Sequence, residues 1–389
     1  MKRVWLDFHR WVGLKLSILM SFVLITGTLA TLSHEIDWLL DPGRRVLPTV
    51  TVDQYDWQGM VDAARQARPD WSLEWIAAPI DPWFAAEAVG LTADGERRRL
   101  LIHPTTLAVQ GEAGWFNAQR LLREAHRRLM ILHPAGIALV SALSILLILS
   151  FVSGLFLYKK FWRGFFRKPR TRDSRTLWGD LHRLGGVWSL WFIVVIALTS
   201  VWYLVEVVSA MAGARIGGLP DPSPPPAVAR GVDATGQATG QATGETAVSL
   251  TALSLTAREA IPGYRVQMVH LPRFAGDPVI FHGQASAILV RRRANQVHFD
   301  PRTGAMLAFI DAQTLGTAQR IAEMADPLHF GTFGGIWTKL LYFVFGVILS
   351  AMSLSGIYIF SARIRKAQQG RQAPVRAAAV APQGVSEGA

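Results

Sequence analysis

The sequence predicts an integral membrane α-helical protein, with four transmembrane helices arranged as two tandem repeats, each carrying a water-facing α+β domain. Three observations predict it. Half of the 389 residues are hydrophobic and 14 are tryptophan, an unusual balance for a soluble chain of this size. Four apolar runs are each long enough to cross about 30 Å of hydrocarbon. The same short motifs also recur at matched places in the two halves, as duplicated membrane units do.

The apolar runs are residues 11–32, 135–158, 184–208 and 335–360. Before the first stand Lys2, Arg3 and Arg10. Lys159, Lys160, Arg163, Arg167, Lys168, Arg170, Arg172 and Arg175 fill the connection 159–183, and Arg363, Arg365 and Lys366 follow the last run. Basic residues collect on the cytoplasmic side, so residues 1–10, 159–183 and 361–389 are expected there, in the inner membrane of a bacterium. Residues 33–134 and 209–334 then form two periplasmic domains. The first run is too long for a cleaved signal peptide and no small-x-small site follows it, so it is expected to stay. Within the second domain, 220–247 is Pro-rich and then repeats GQAT, a composition that reads as a disordered linker. A turn at His298 to Gly304 separates strand-like runs Ala287 to Val297 and Ala305 to Ile310, and a similar turn follows Leu101.

No cysteine is present, which excludes disulfides, thiolate metal sites, iron–sulfur clusters and covalently attached haem. The net charge of +12 marks membrane orientation and forms no nucleic-acid face. No dinucleotide or Walker-type glycine loop occurs.

The repeat is specific. His9-Arg10-Trp11-Val12-Gly13 opens the first span and His182-Arg183-Leu184-Gly185-Gly186 the third, each histidine standing 17 residues before a threonine, Thr26 or Thr199. The second and fourth spans end in Ser153-Gly154-Leu155-Phe156 and Ser355-Gly356-Ile357-Tyr358; 28 residues before Gly154 lies His126, and 27 before Gly356 lies His329. Two units running in the same direction are related by an axis along the membrane normal. That axis pairs His9 with His182 at the cytoplasmic end and His126 with His329 at the periplasmic end.

Two neutral imidazoles from facing helices can fill both axial positions of haem iron without covalent attachment, so the pairs point to two bis-histidine b-type haems. Trp11, Gly13, Gly185, Gly186 and Trp188 suit the inner slot, and Phe330, Gly331 and Phe333 the outer one. His34 and His133 also sit near the periplasmic surface and are further possible ligands, although Pro134 favours a turn at His133. A histidine at a helix end is by itself more often an anchor or cap. Four at repeat-equivalent places outweigh that reading. His103, His270, His282 and His298 read as ordinary residues of the soluble domains. Trp71, Trp75, Trp83, Phe84, Trp115 and Phe116 form either a docking surface or a domain core.

The helix starts HRWVG and DLHRLGG, the segments AHRRL and PLHFGTFGG, and the turn FDPRTGAML together resemble the PepSY-associated transmembrane proteins, over nearly the whole chain. Within them the nearest match is to inner-membrane siderophore reductases of the FoxB type. The resemblance implies PepSY-like periplasmic domains and haem b held by His9, His182, His126 and His329. It also implies reduction of ferric iron in a hydroxamate-type siderophore. Ferrous iron is held less tightly by hard hydroxamate oxygens, so reduction would release it. Electrons would come from a quinol or a cytosolic flavin protein, with Trp162, Phe165 and Phe166 of the basic loop as a docking surface. The rival readings are a siderophore or haem uptake permease without redox activity, kept open by Lys15 and Glu206, and a PepSY-type regulator of an envelope protease.

Overall fold

The computed structural model describes residues 2–15, 17–47, 55–158, 160–219, 248–274 and 276–379. The linker expected at 220–247 lies outside them, as does the side chain of Lys15. Along the chain, α1 (Lys2–Lys15), α2 (Ser17–Thr31) and α3 (Ser33–Leu40) lead to α4 (Trp57–Ala67) and strands β1 (Ser72–Ala77), β2 (Ala86–Leu91), β3 (Arg97–Ile102) and β4 (Val109–Gly114). Helices α5 (Ala118–Arg128), α6 (Ala135–Leu157), α7 (Ser174–Trp188) and α8 (Leu190–Met211) follow. Next come α9 (Leu250–Ala260), β5 (Arg265–His270), β6 (Val279–Gln284), β7 (Asn295–Phe299), β8 (Met306–Ile310), α10 (Thr317–Phe330) and α11 (Gly335–Ala379).

Among the described residues, α6, α8 and the stretch Thr332–Arg365 are long and apolar enough to cross a membrane. Helices α2 and α3 make a fourth span if they are taken together across a 61° bend. The bend falls at Leu32, where the apolar run 11–32 ends; beyond it the buried Asp37 carboxylate in α3 accepts hydrogen bonds from the side chain of Asn117 (2.5 Å) and the backbone N–H groups of Ala118 (3.0 Å) and Gln119 (3.2 Å). An anion at the N-terminus of α5 is well placed, since free N–H groups and the positive end of the helix dipole meet there. Asp37 thus ties α3 to the helix that carries His126.

In the bundle α6 packs on α8, α2 on α11, α1 on α6 and α7 on α11. Small polar residues let α2 and α11 approach: Ser21 meets Ser353 at 2.8 Å and Thr28 meets Ser350 at 3.3 Å.

Among the described residues, eight strands form one antiparallel sheet in the order β4-β3-β2-β1-β5-β6-β7-β8. This corrects the expectation of two separate soluble domains. Each half supplies a helix and four strands, and the halves join where Trp75, Ile76 and Ala77 of β1 pair with His270, Val269 and Met268 of β5. Left apart, β1 and β5 would each expose an edge of unpaired backbone groups, and pairing them removes both. Helices α4 and α9 cover one face, with Trp57, Met60, Ile76, Phe281 and Phe299 fully buried between. Side chains alternate along a strand, so Trp75, Ala77 and Met268 point to the opposite face, toward the bundle.

The expected strand Ala287 to Val297 is also corrected. Only Asn295–Phe299 is strand; residues 287–294 leave the ladder, with Leu289 at φ 53° and the Arg292 guanidinium bonded to Gln267 and to the Pro79 carbonyl (2.8 Å). The loop carries Arg291, Arg292 and Arg293 to the space between sheet and bundle.

Candidate functional site

Each of the four repeat histidines leaves its own helix and rests on a neighbouring one through Nδ1. His126 of α5 donates to the Val23 carbonyl of α2 at 2.9 Å. His329 of α10 meets the Thr199 hydroxyl of α8 at 2.9 Å. His9 of α1 meets the Ser153 hydroxyl of α6 at 2.8 Å, and His182 of α7 meets both the Met352 carbonyl (3.0 Å) and the Ser355 hydroxyl (3.1 Å) of α11.

A carbonyl can only accept, so the contacts to Val23 and Met352 place the proton of His126 and His182 on Nδ1 and leave Nε2 its lone pair. The Ser153 and Thr199 hydroxyls also lie within hydrogen-bond distance of carbonyls of their own helices, Ser150 (3.0 Å) for Ser153 and Val195 (2.8 Å) and Ile196 (3.1 Å) for Thr199; with their proton there, they accept from His9 and His329 in the same way. Support through Nδ1 is how a neighbouring group orients a histidine that binds metal.

His126 and His329 face one another with ring centroids 6.1 Å apart and planes tilted by 34°. Two imidazoles bound end-on to one metal, with metal–nitrogen bonds of about 2 Å, have centroids roughly 6 Å apart. Close packing holds His126: a Cβ on Gly27 would lie 2.6 Å from His126 Cε1, so only glycine leaves the ring its place. Beside His329, the α10 helix ends at Gly331 with φ 66°, and a Cβ there would meet Tyr342 at 2.6 Å. His9 and His182 lie near enough to affect each other's charge. They pack over the glycines that follow the two serines, a Cβ on Gly154 falling 4.0 Å from His9 and one on Gly356 falling 3.7 Å from His182. Between the two levels, Trp191, Phe192, Tyr342 and Phe345 fill the bundle with ring contacts of 4.9 to 5.9 Å.

Above the outer pair a cavity of about 2000 Å³ opens between bundle and sheet. Val23, Leu24, Leu143, Leu147 and Ile196 make its deep part apolar, with small Ser141, Ser144 and Ser200 among them. Trp75, Trp115, Phe330 and Phe333 stand higher, among ten basic side chains and only four acidic ones. An apolar slot with facing imidazoles and a glycine cradle fits a porphyrin at the outer pair.

The family description "PepSY-associated TM region" matches residues 6–363. The chain belongs to this family. It is also similar to an uncharacterized protein of Pseudomonas aeruginosa, 26% identical over 271 residues that make up 64% of this chain. The match spans 65% of that relative's length.

The other predicted positions of this PepSY-associated chain divide. His34 lines the cavity. His133 is exposed, and its Nδ1 accepts from the Ala135 N–H (3.1 Å), a helix-end contact that leaves its proton on Nε2. Gly185 and Gly186 give way to Ile348 and Met352 of α11 and so serve helix packing, and Trp11 is exposed. Trp188 donates to the Phe165 carbonyl (3.0 Å). Trp71 is buried in the sheet core, Trp75, Phe84 and Trp115 line the cavity, and Phe116 is exposed. Glu206 lines the cavity as well. Trp162, Phe165 and Phe166 are exposed. Among the described residues, no three or more His, Asp or Glu side chains converge on a metal position. The basic lining escaped sequence reasoning. Its signal was the run Arg120, Arg123, Arg127 at helical spacing around His126.

Proposed function

We propose that this membrane protein is a haem b-containing reductase of the bacterial inner membrane, with both termini cytoplasmic and the sheet in the periplasm. It carries electrons outward to ferric iron in a siderophore. The observation that carries this reading is the shared support of His9, His126, His182 and His329, each held through Nδ1 by a neighbouring helix. Four buried or half-buried rings with Nδ1 engaged and Nε2 presented in two groups are suited to axial ligation, and the tandem repeat supplies the pairing. His126 and His329 would hold the outer haem and His9 and His182 the inner one. When bound, haem supplies a reversible one-electron couple.

The protein's own residues do the rest. Val23, Thr199, Ser153, Ser355 and Met352 orient the ligand rings and raise the basicity of Nε2. Gly27 lets the His126 ring seat, and the apolar wall excludes water from the deep slot. The cavity brings a guest from the sheet side down to His126 and His329. The basic loop with exposed Trp162 and Phe166 faces the cytoplasm in this topology and is the docking surface for a quinol-linked or flavin-bearing donor. The hydroxamate class of siderophore comes from the family resemblance alone.

The test is the visible spectrum of detergent-purified protein, oxidised and dithionite-reduced, with haem quantified and each of the four histidines changed to Ala. A low-spin b-type spectrum, diminished in each variant and reoxidised by a ferric siderophore, is expected. Colourless protein from haem-replete cells overturns the reading and leaves the cavity to an uptake permease or a protease regulator.

A further inference from the structure

Helix α5 turns one face toward the cavity, with Gln119, Arg120, Arg123, His126 and Arg127 in its lining. The spacing of three and four residues puts the arginines on the same stripe as His126, with Arg120 about 9 Å up the helix axis from it. The carboxylates of the cavity are engaged elsewhere. Glu87 holds Arg44 (2.5 Å) and Arg99 (3.4 Å), Asp326 holds Arg291 (2.9 Å) and the Tyr203 hydroxyl (2.7 Å), and Asp81 stands 3.5 Å from Lys339. Glu206 makes no salt bridge to the stripe.

Arg120 and Arg123 therefore form no salt bridge among the described residues, although Glu87 acts on Arg120, and Asp326 and Glu124 act on Arg123, from farther off. Arg120 lies flat on Trp115, its guanidinium carbon 3.3 Å from the ring centroid, and its Nε is buried without a hydrogen-bond partner. Arg123 sits over Phe330 at 5.4 Å. Arg120 is half-buried and Arg123 exposed to the cavity, and a guanidinium whose buried Nε has no partner, beside a second one without a salt bridge, is open to an anion that arrives later.

We propose that Arg120 and Arg123 form a carboxylate-binding site, and that the ferric chelate taken into the cavity is an anionic, carboxylate-type complex, in preference to a charge-neutral trihydroxamate. The iron in this statement rests on the reductase reading; the anion site does not. Burial, with Arg99 and Arg123 nearby, pushes Arg120 down to about 10, so it remains charged at neutral pH while gaining from any anion that relieves the crowding. Trp115 and Trp75, edge to face at 5.9 Å, flank the site and give it an optical reporter.

The experiment is titration of the full-length protein in detergent with gallium citrate and with a gallium trihydroxamate, followed by tryptophan fluorescence and calorimetry. Gallium is not reduced, so binding is read apart from electron transfer. Gallium citrate is expected to bind at least tenfold more tightly. Arg120→Gln and Arg123→Gln should each weaken it by about tenfold, Arg120→Lys by only a few-fold, and Arg98→Gln, at the outer end of β3, not at all. Equal affinity for the two complexes overturns the proposal, as does an Arg120→Lys variant no better than Arg120→Gln. Loss of haem from the Gln variants with gallium citrate affinity unchanged also overturns it, by assigning the arginines to porphyrin propionates. Citrate-selective binding to a protein without haem would sustain the anion site while removing the reductase reading.

Discussion

His126 and His329 face a cavity of about 2000 Å³, whereas His9 and His182 rest on α6 and α11 and line no part of it. At both levels Nδ1 rests on a neighbouring helix and leaves Nε2 over. The supports differ. The outer rings lean on α2 and α8 within the bundle, with Gly27 giving His126 its space; the inner rings lean on serines near the ends of α6 and α11, over looser glycines. The comparison teaches that a repeated ligand motif does not assign a role; its surroundings do. In the reductase reading, the pair that opens on a basic, aromatic chamber would meet the guest, and the pair enclosed by helices would relay.

The sharpest way to break that division is to remove one ring from each pair. His329→Ala and His182→Ala are each expected to halve the haem content and to lower steady-state ferric chelate reduction by about a hundredfold or more. They should part in a single turnover after chemical reduction. His182→Ala, which keeps the outer pair, still delivers its electron to the chelate, and His329→Ala does not. Stopped-flow absorbance of the pre-reduced variants decides, and equal behaviour would mean that the levels are interchangeable.

Glycine substitutions sharpen the same contrast by packing alone. Gly27→Ala places a methyl 2.6 Å from His126 Cε1 and must displace the ring, while Gly154→Ala leaves 4.0 Å to His9. A ligand moved by about 1 Å costs on the order of a hundredfold, so Gly27→Ala should lose at least tenfold in reduction along with most of the outer haem. Gly154→Ala should stay within about twofold, since its added methyl finds room. Haem stoichiometry and the reduction rate measure both.

Much of this site was legible in the sequence and some was not, for identifiable reasons. The four histidines, the Ser-Gly pairs and Thr199 all showed as repeat-equivalent letters, because covalent spacing is what a repeat preserves. That Ser153 and Ser355 hold His9 and His182 is a contact between helices far apart in the chain, and spacing does not carry it. Hydropathy showed the apolar runs and that the first ends at Leu32, but not that one carboxylate beyond it, Asp37, reaches the start of α5. The apolar run Ala287 to Val290 read as strand by its composition, although Asn295, bonded to the Gly283 carbonyl and the Ala312 N–H, is where the ladder resumes. The single sheet was hidden because no local signal says which edges meet.

The finest separation lies in the hydrogen bonds behind the rings. Thr199→Val removes the hydroxyl that His329 Nδ1 meets at 2.9 Å. The valine keeps the shape, so the change isolates ring orientation and basicity. Losing such a partner typically costs about 10- to 100-fold in metal affinity, and the rate of haem transfer to an excess acceptor protein should rise by about tenfold. Ser355→Ala removes one of two acceptors for His182, and the Met352 carbonyl at 3.0 Å still holds the proton on Nδ1. Its effect should be about twofold, within the range of a single neutral hydrogen bond that has a substitute. If Ser355→Ala releases haem as fast as Thr199→Val, the carbonyl is no substitute, and the inner pair depends on its hydroxyl as fully as the outer pair does.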